Sequence, residues 1–201
     1  MVPTLAELTA RARRLARHGR VIIGIAGAPG AGKSTLAADL SRRLAAPVVA
    51  MDGFHLRTAE LVALGRLERK GAPDTFDVAG YAGLLTRLRG GGDVRAPSFD
   101  RSLEEPVQDA VPVPGDAPIV LTEGNYLLLA EGRWSQVRAL LDECWFVEVP
   151  EDVRLTRLIA RHVEFGRSLA EARRRAVAGS DADNAHLIAG TRTRADLIIR
   201  T

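Results

Sequence analysis

Apolar positions along this chain follow two different periods. Residues 21–26, 48–51, 119–122 and 144–149 are apolar at nearly every position and rich in β-branched side chains. Such runs predict strands buried on both faces, as in a parallel sheet covered by helices. Between them the apolar residues recur every three or four positions. Leu36, Ala37, Leu40 and Leu44 predict an amphipathic helix starting near Lys33. Residues 81–89 predict another, closed by Gly90-Gly91-Gly92. Helices are also predicted at 137–141, 151–165, 169–178 and 183–189, before a closing strand at 195–200. Strands alternating with helices predict an α/β fold with a mostly parallel central sheet.

Two stretches fit neither period. Residues 53–78 break into helical pieces and loops. Residues 94–114 are rich in proline and charge, with short strands predicted at 94–96 and 107–113. Neither repeats nor linkers divide the pattern, so one domain over residues 1–201 is expected.

Composition narrows the function. Residues 1–20 carry five arginines against the single acid Glu7, a balance shared with transit peptides. Leu5, Leu8, Ala12, Leu15 and Ala16 nevertheless fall at helical spacing, which predicts a surface helix leading into the first strand. There is no apolar signal core, and no run approaches the roughly 18 apolar residues that span a bilayer. A cytoplasmic protein with no membrane partner is the expectation. The net charge of +3 comes from 26 arginines and only two lysines, Lys33 and Lys70. This excess is too scattered for a nucleic-acid protein, which needs a basic stripe, and it suits a small anionic ligand. The lone cysteine, Cys144, excludes an internal disulfide and a cysteine metal site, and is expected to be buried in its strand. His18, His162 and His186 form no metal-ligand spacing.

The sharpest chemical signal is Gly27-Ala28-Pro29-Gly30-Ala31-Gly32-Lys33-Ser34, which fits G-x-x-x-x-G-K-[ST] between a predicted strand and a predicted helix. Glycines let backbone N–H groups turn toward one point and let phosphates approach without a Cβ in the way. The helix start adds the positive end of its dipole. Lys33 can reach the β- and γ-phosphates, and the Ser34 hydroxyl can ligate Mg²⁺. The pattern predicts ATP and Mg²⁺, with Thr35 continuing the nucleotide site into the helix.

Two predicted strands end in an acid, Asp52 and Glu123. In a parallel sheet, ligands bind beyond the carboxyl ends of the strands, so both acids are expected on the edge that carries the phosphate loop. Asp52 is read as the base and Glu123 as the acid on the Mg²⁺ side. The two roles could be exchanged, and either acid could instead cap the following helix.

With these residues in hand, the chain resembles the phosphoribulokinase/uridine kinase/pantothenate kinase superfamily. Within it the chain looks most like compact bacterial nucleoside/nucleotide-kinase-like proteins, some described as fructose-transport kinases. The resemblance rests on residues 27–35, Met51-Asp52-Gly53-Phe54-His55, residues 69–78, Pro97-Ser98-Phe99-Asp100-Arg101, Glu123-Gly124-Asn125-Tyr126-Leu127-Leu128 and the basic segment 154–167. It implies a P-loop NTPase three-layer α/β/α fold with a helical lid at about 154–180 and an acceptor-binding region at about 53–115. It implies phosphate transfer to a small-molecule alcohol, with acceptor contacts near His55, Lys70, Phe76 and Asp100. Tyr126 is a candidate to flank the acceptor and is equally readable as core. His55 and Lys70 have plainer readings, a turn cap and a surface charge. Dimers are common in the family, so a homodimer is an expectation.

Arg154, Arg157 and Arg161 share a helical face. Arg157 and Arg161 are read as lid arginines that stabilise the transferring phosphoryl group, with Arg167 behind them, while Arg173-Arg174-Arg175 is expected at the surface. Family analogy places adenine near the turn containing Arg194. The competing reading is a nucleotide-binding switch or an ATPase without an acceptor. A guanine-specific switch would need an N/T-K-x-D loop, which two lysines at 33 and 70 cannot supply. The L-S-G-G-Q-like string of transporter ATPases is also missing.

Overall fold

The computed structural model describes residues 3–200. Met1 and Val2 of the arginine-rich N-terminus, and Thr201 at the end of the predicted domain, lie outside the described residues. Along the chain run α1 (Leu5–Leu15), β1 (Val21–Ala26), α2 (Lys33–Leu44), β2 (Val48–Ala50), α3 (Thr58–Ala63), α4 (Val78–Arg89), β3 (Val94–Asp100), β4 (Glu105–Val113), β5 (Ile119–Gly124), β6 (Glu143–Glu148), α5 (Glu151–Glu164), α6 (Leu169–Ala178), α7 (Ser180–Ala189) and β7 (Leu197–Arg200). The central sheet has the order β2-β5-β1-β6-β7, and every pairing in it is parallel.

Side chains alternate across a strand, so each β-branched run feeds two cores. Ile22, Ala26, Val120, Cys144 and Phe146 pack on one face with Tyr81, Leu84, Leu85 and Leu88 of α4. On the other face, Ile23, Ile25, Leu121, Trp145 and Val147 pack under Leu8 and Ala12 of α1 and Ala37 and Leu40 of α2. Burying each large apolar side chain contributes about 1.5–3 kcal/mol, which explains why both faces are covered. The predicted α/β/α layering, the buried Cys144 and the N-terminal surface helix are all present. Burial pushes the Cys144 thiol up to about 12, so it stays protonated at neutral pH.

The two stretches without a clear period build the wall above the sheet edge. β3 and β4 form an antiparallel hairpin outside the central sheet, longer than the predicted strand pieces. Its register shifts between Ala96 and Ser98, at Pro97, which has no N–H to give the ladder. Strand β2 ends at Ala50, and Met51 opens a 3-10 turn, Met51–Phe54, rather than extending the strand. The predicted helix at 137–141 is likewise a 3-10 turn, Arg138–Leu140, following another at Gly132–Gln136. Trp134, Val137 and Leu141 are all buried there, and so short a segment cannot nucleate a stable α-helix of its own. Among the described residues, no helix is long and apolar enough to cross a membrane.

Candidate active site

The phosphate loop joins β1 to α2, and its glycines sit where side chains would collide. Gly27, Gly30 and Gly32 have φ of 150°, 85° and 95°. A Cβ on Gly27 would lie 2.7 Å from the Val147 carbonyl oxygen, and one on Gly30 2.6 Å from that of Arg154. Above Gly32 the nearest atom is Arg157 Nη1, 3.5 Å from where a Cβ would stand. The start of α2 has no side-chain cap, so its first N–H groups are left for a ligand's oxygens. Lys33 is buried and donates to the Ala28 carbonyl at 3.1 Å. Burial pushes its ammonium down to about 8, against the pull of Glu123 and Asp52.

Parallel pairing brings the two acids to this same edge. Glu123, next to last in β5, lies beside Ile25 of β1 and Ala50 of β2. Asp52 follows two residues after Ala50. The carboxylates have separate partners. Ser34 Oγ donates to Glu123 Oε1 at 3.0 Å, while Arg101 Nη2 donates to Asp52 Oδ2 at 2.9 Å. Burial, and then the neighbouring Asp52 charge, raise the Glu123 carboxyl above its ordinary range. Burial would raise Asp52 too, but the positive charges of His55, Arg101, Lys33 and Arg161 outweigh it and hold Asp52 low. One carboxylate is thus held ionised beside a partner that takes up a proton more readily, a separation used for acid–base work.

These groups line one cavity of about 460 Å³. Its floor includes Pro29, Lys33, Ser34, Asp52, Glu123 and Asn125. The wall from the loop–hairpin region includes His55, Lys70, Phe76, Phe99 and Arg101. Helices α5–α7 close it with Arg161, His162, Phe165, Arg167 and Arg175 among others. The His55 ring packs 4.1 Å from Phe76 and 4.6 Å from Phe99, centroid to centroid. His55 Nδ1 donates to the Asp52 carbonyl at 2.7 Å, so the residue both caps the turn and faces the cavity. Burial lowers its pKa, which leaves the ring neutral at pH 7 with Nε2 as an acceptor.

The structure separates the remaining site candidates. Phe76, Lys70 and Arg161 line the cavity. Asp100 does not: its Oδ1 accepts from the amides of Ser102 and Leu103 and from the Ser102 hydroxyl, closing the hairpin turn. The turn so formed presents the next residue, Arg101, and it is Arg101 that reaches Asp52. Tyr126 is fully buried, packs on Phe76 and Trp134 and donates to the Gly71 carbonyl at 2.5 Å, so it supports the wall from behind. Arg157 is not among the cavity-lining residues but stands over Gly32. Arg154 departs from its helix mates, pairing with Glu151 and donating to the Pro29 carbonyl at 3.1 Å, which fastens the phosphate loop to α5. Thr35 lies in the first turn of α2, and Arg194 in the 3-10 turn Arg192–Arg194, outside the cavity lining.

Arg101 and Arg175 are among the cavity residues that the sequence does not single out. Arg101 belongs to the P-S-F-D-R string, in which the neighbouring acid is the more evident candidate for chemistry. Arg175 was expected at the surface, and Arg173 and Arg174 are indeed exposed. Glu171 and Arg175, one turn apart on α6, instead line the cavity; that i, i+4 spacing was the available signal.

The residues fit a nucleotide carrying Mg²⁺. No cluster of three metal-ligating side chains occurs among the described residues. Mg²⁺ needs no such cage: it binds through one or two carboxylates or hydroxyls together with phosphate oxygens, and Ser34 and Glu123 are a hard-oxygen pair at the uncapped helix start.

Comparison with known proteins agrees with this geometry. Residues 22–201 match the model of the Phosphoribulokinase / Uridine kinase family. The uncharacterized protein YggC of Escherichia coli K12 is 35% identical over 189 residues, covering 90% of this chain and 77% of the relative. A Schizosaccharomyces pombe protein provisionally named as a uridine kinase is 37% identical over 174 residues, covering 80% and 74%. A crystal structure from Silicibacter sp. TM1040, of a protein provisionally described as a fructose transport system kinase, superposes with a TM-score of 0.87 at 38% identity, covering 98% of each chain.

Proposed function

The chain belongs to the phosphoribulokinase / uridine kinase family, and from that premise we propose that it transfers the γ-phosphate of ATP to a hydroxyl of a small metabolite. The observation that carries this reading is the division of labour between the two carboxylates. Glu123 is bonded to the loop hydroxyl of Ser34, and Asp52 faces the acceptor wall beside Arg101 and His55.

In this reading the loop from Gly27 to Ser34, continuing into Thr35, binds the phosphates through its backbone N–H groups and Lys33. Ser34 and Glu123 would hold Mg²⁺, which supplies Lewis-acid neutralisation of phosphate charge. Asp52 accepts the hydroxyl proton as the acceptor oxygen bonds to the γ-phosphorus. The bond from that phosphorus to its bridging oxygen breaks, and ADP leaves. With 26% of its side chain accessible, Asp52 can be reached by a hydroxyl. His55 Nε2 accepts a hydrogen bond from the acceptor, and Phe76 and Phe99 shape its seat. Lys33 and Arg161 offset the charge of the transferring group, with Arg157 closing over Gly32. By analogy with the family, adenine lies near the turn holding Arg194.

Helices α5–α7 act as a lid that excludes water, so that ATP is not hydrolysed before the acceptor binds. ADP release measured with and without a pool of alcohol acceptors tests the reading. A kinase shows strong acceptor dependence, and equal rates would favour an ATPase instead.

A further inference from the structure

Six lysines and arginines line the cavity, and they are not equally neutralised. Arg101 pairs with Asp52, and Arg167 with Glu104 and Glu171. Lys33, Lys70, Arg161 and Arg175 have no carboxylate within ion-pair distance among the described residues. Phosphoryl transfer accounts for Lys33 and Arg161. It does not account for Lys70 and Arg175.

Both of these face the cavity with hydrogen-bonding capacity left over. Lys70 Nζ meets the Thr58 hydroxyl at 3.3 Å and the Glu104 carbonyl, and stands 5.6 Å from the centre of the Phe99 ring. Each of these is a neutral partner, and one of the three N–H donors remains unused. Arg175 Nε is shielded from solvent and has no hydrogen-bond partner among the described residues. Arg175 lines the cavity without a carboxylate partner among the described residues, so its guanidinium is available to an oxygen supplied by a ligand.

A line of contacts runs from Lys70 toward Arg175. Lys70 meets the Glu104 backbone, the Glu104 carboxylate meets Arg167 at 3.5 Å, Arg167 meets Glu171 at 2.9 Å, and Arg175 stands one turn beyond Glu171. The loop holding Lys70, the hairpin turn and the lid therefore gather Lys70, Arg167 and Arg175 around Glu104 and Glu171, in a cavity that Glu68 and Asp181 also line. We propose that the acceptor carries an anionic group, a carboxylate or a phosphate, bound by Lys70 and Arg175 apart from the hydroxyl that is phosphorylated. A neutral acceptor would leave both charges uncompensated in a cavity that closes against water. This inference rests on the kinase reading of the same site.

The test offers Mg·ATP with matched sets of acceptors, each neutral alcohol beside its carboxylate and its phosphomonoester. The anionic member of at least one set should exceed its neutral counterpart tenfold or more in kcat/KM, and the carboxylate and phosphate arms tell the two sources apart. Lys70→Met and Arg175→Met should each raise the KM for that acceptor about tenfold, with less than twofold change in the KM for ATP, and Arg175→Lys should recover part of the loss. Preference for the neutral members, or an unchanged KM in both variants, overturns the inference while leaving the kinase reading intact. Should no set be phosphorylated, calorimetry decides. Inorganic phosphate is titrated into protein saturated with Mg²⁺ and a non-hydrolysable ATP analogue. Binding by the wild type that is lost in the double variant supports the inference, and no binding by the wild type overturns it. ATP hydrolysis independent of every acceptor would instead remove the kinase reading.

Discussion

Arg101 Nη2 lies 2.9 Å from Asp52 Oδ2, so the tip of the hairpin touches the 3-10 turn that follows β2. The contact depends on Gly53, where a Cβ would stand 2.4 Å from the Pro97 carbonyl oxygen. The hairpin can lie against the Asp52 turn because position 53 has no side chain.

Asp52→Asn should lower kcat by about 10²- to 10⁴-fold, the usual contribution of a general base, and change Mg·ATP affinity little. Steady-state kinetics beside nucleotide titration separate the two quantities. Near-normal turnover would remove the base assignment.

Arg101→Leu should move the acid limb of the pH–rate profile. Arg101 is one of the charges that hold Asp52 below its ordinary range. The charge on His55 also contributes, but only when that ring is protonated, and burial lowers its pKa. At neutral pH the arginines and Lys33 therefore carry the effect. A base works only when ionised, so activity falls as pH drops through its pKa. Without Arg101 that pKa rises, and the fall begins at higher pH. A profile of kcat/KM against pH that does not move would contradict the coupling.

Lys33→Met should abolish measurable Mg·ATP binding yet stabilise the empty protein at pH 7. Burial takes the ammonium from 10.5 to about 8, which corresponds to a charging cost of about 3 kcal/mol in the fold. The unfolded chain holds its proton up to higher pH than the folded one, so that cost is fully present below about 8 and fades as pH rises toward 10.5. Bound phosphate should restore the proton. Calorimetry in buffers of different ionisation enthalpy should then show proton uptake on nucleotide binding above pH 8. A lower Tm in the variant would count against this balance.

Glu123→Gln should raise the Mg²⁺ concentration needed for half-maximal turnover tenfold or more while the fold is retained. In the wild type a proton competes with the metal for this carboxylate, whose pKa burial and Asp52 raise. Apparent Mg²⁺ affinity should therefore drop as pH falls through that raised value. Titrations of Mg²⁺ at several pH values read this directly.

The parts legible in the sequence are those governed by local rules. Uniformly apolar runs gave β1 and β5 because a strand buried on both faces has no polar side to mask its period. The phosphate loop was readable because its glycine positions are fixed by backbone geometry, and parallel strand ends placed Asp52 and Glu123 on one edge by topology alone. Non-local contacts were not legible. Asp100 and Arg101 differ by one residue, and only the turn that Asp100 closes decides which of them enters the cavity. Tyr126 reads as site or core with equal ease until Gly71, 55 residues away in sequence, is seen to accept its hydroxyl. Arg154 shares a helical face with Arg157 and Arg161, yet the Pro29 carbonyl draws it into the loop.

Phosphoryl transfer itself is tested most directly by following the γ-phosphate of isotopically labelled ATP in the presence of a metabolite panel. The account predicts that label appears in a phosphomonoester of an acceptor, and that this transfer is lost in Asp52→Asn although Mg·ATP still binds. Label released only as inorganic phosphate, at a rate indifferent to the acceptors, would contradict it.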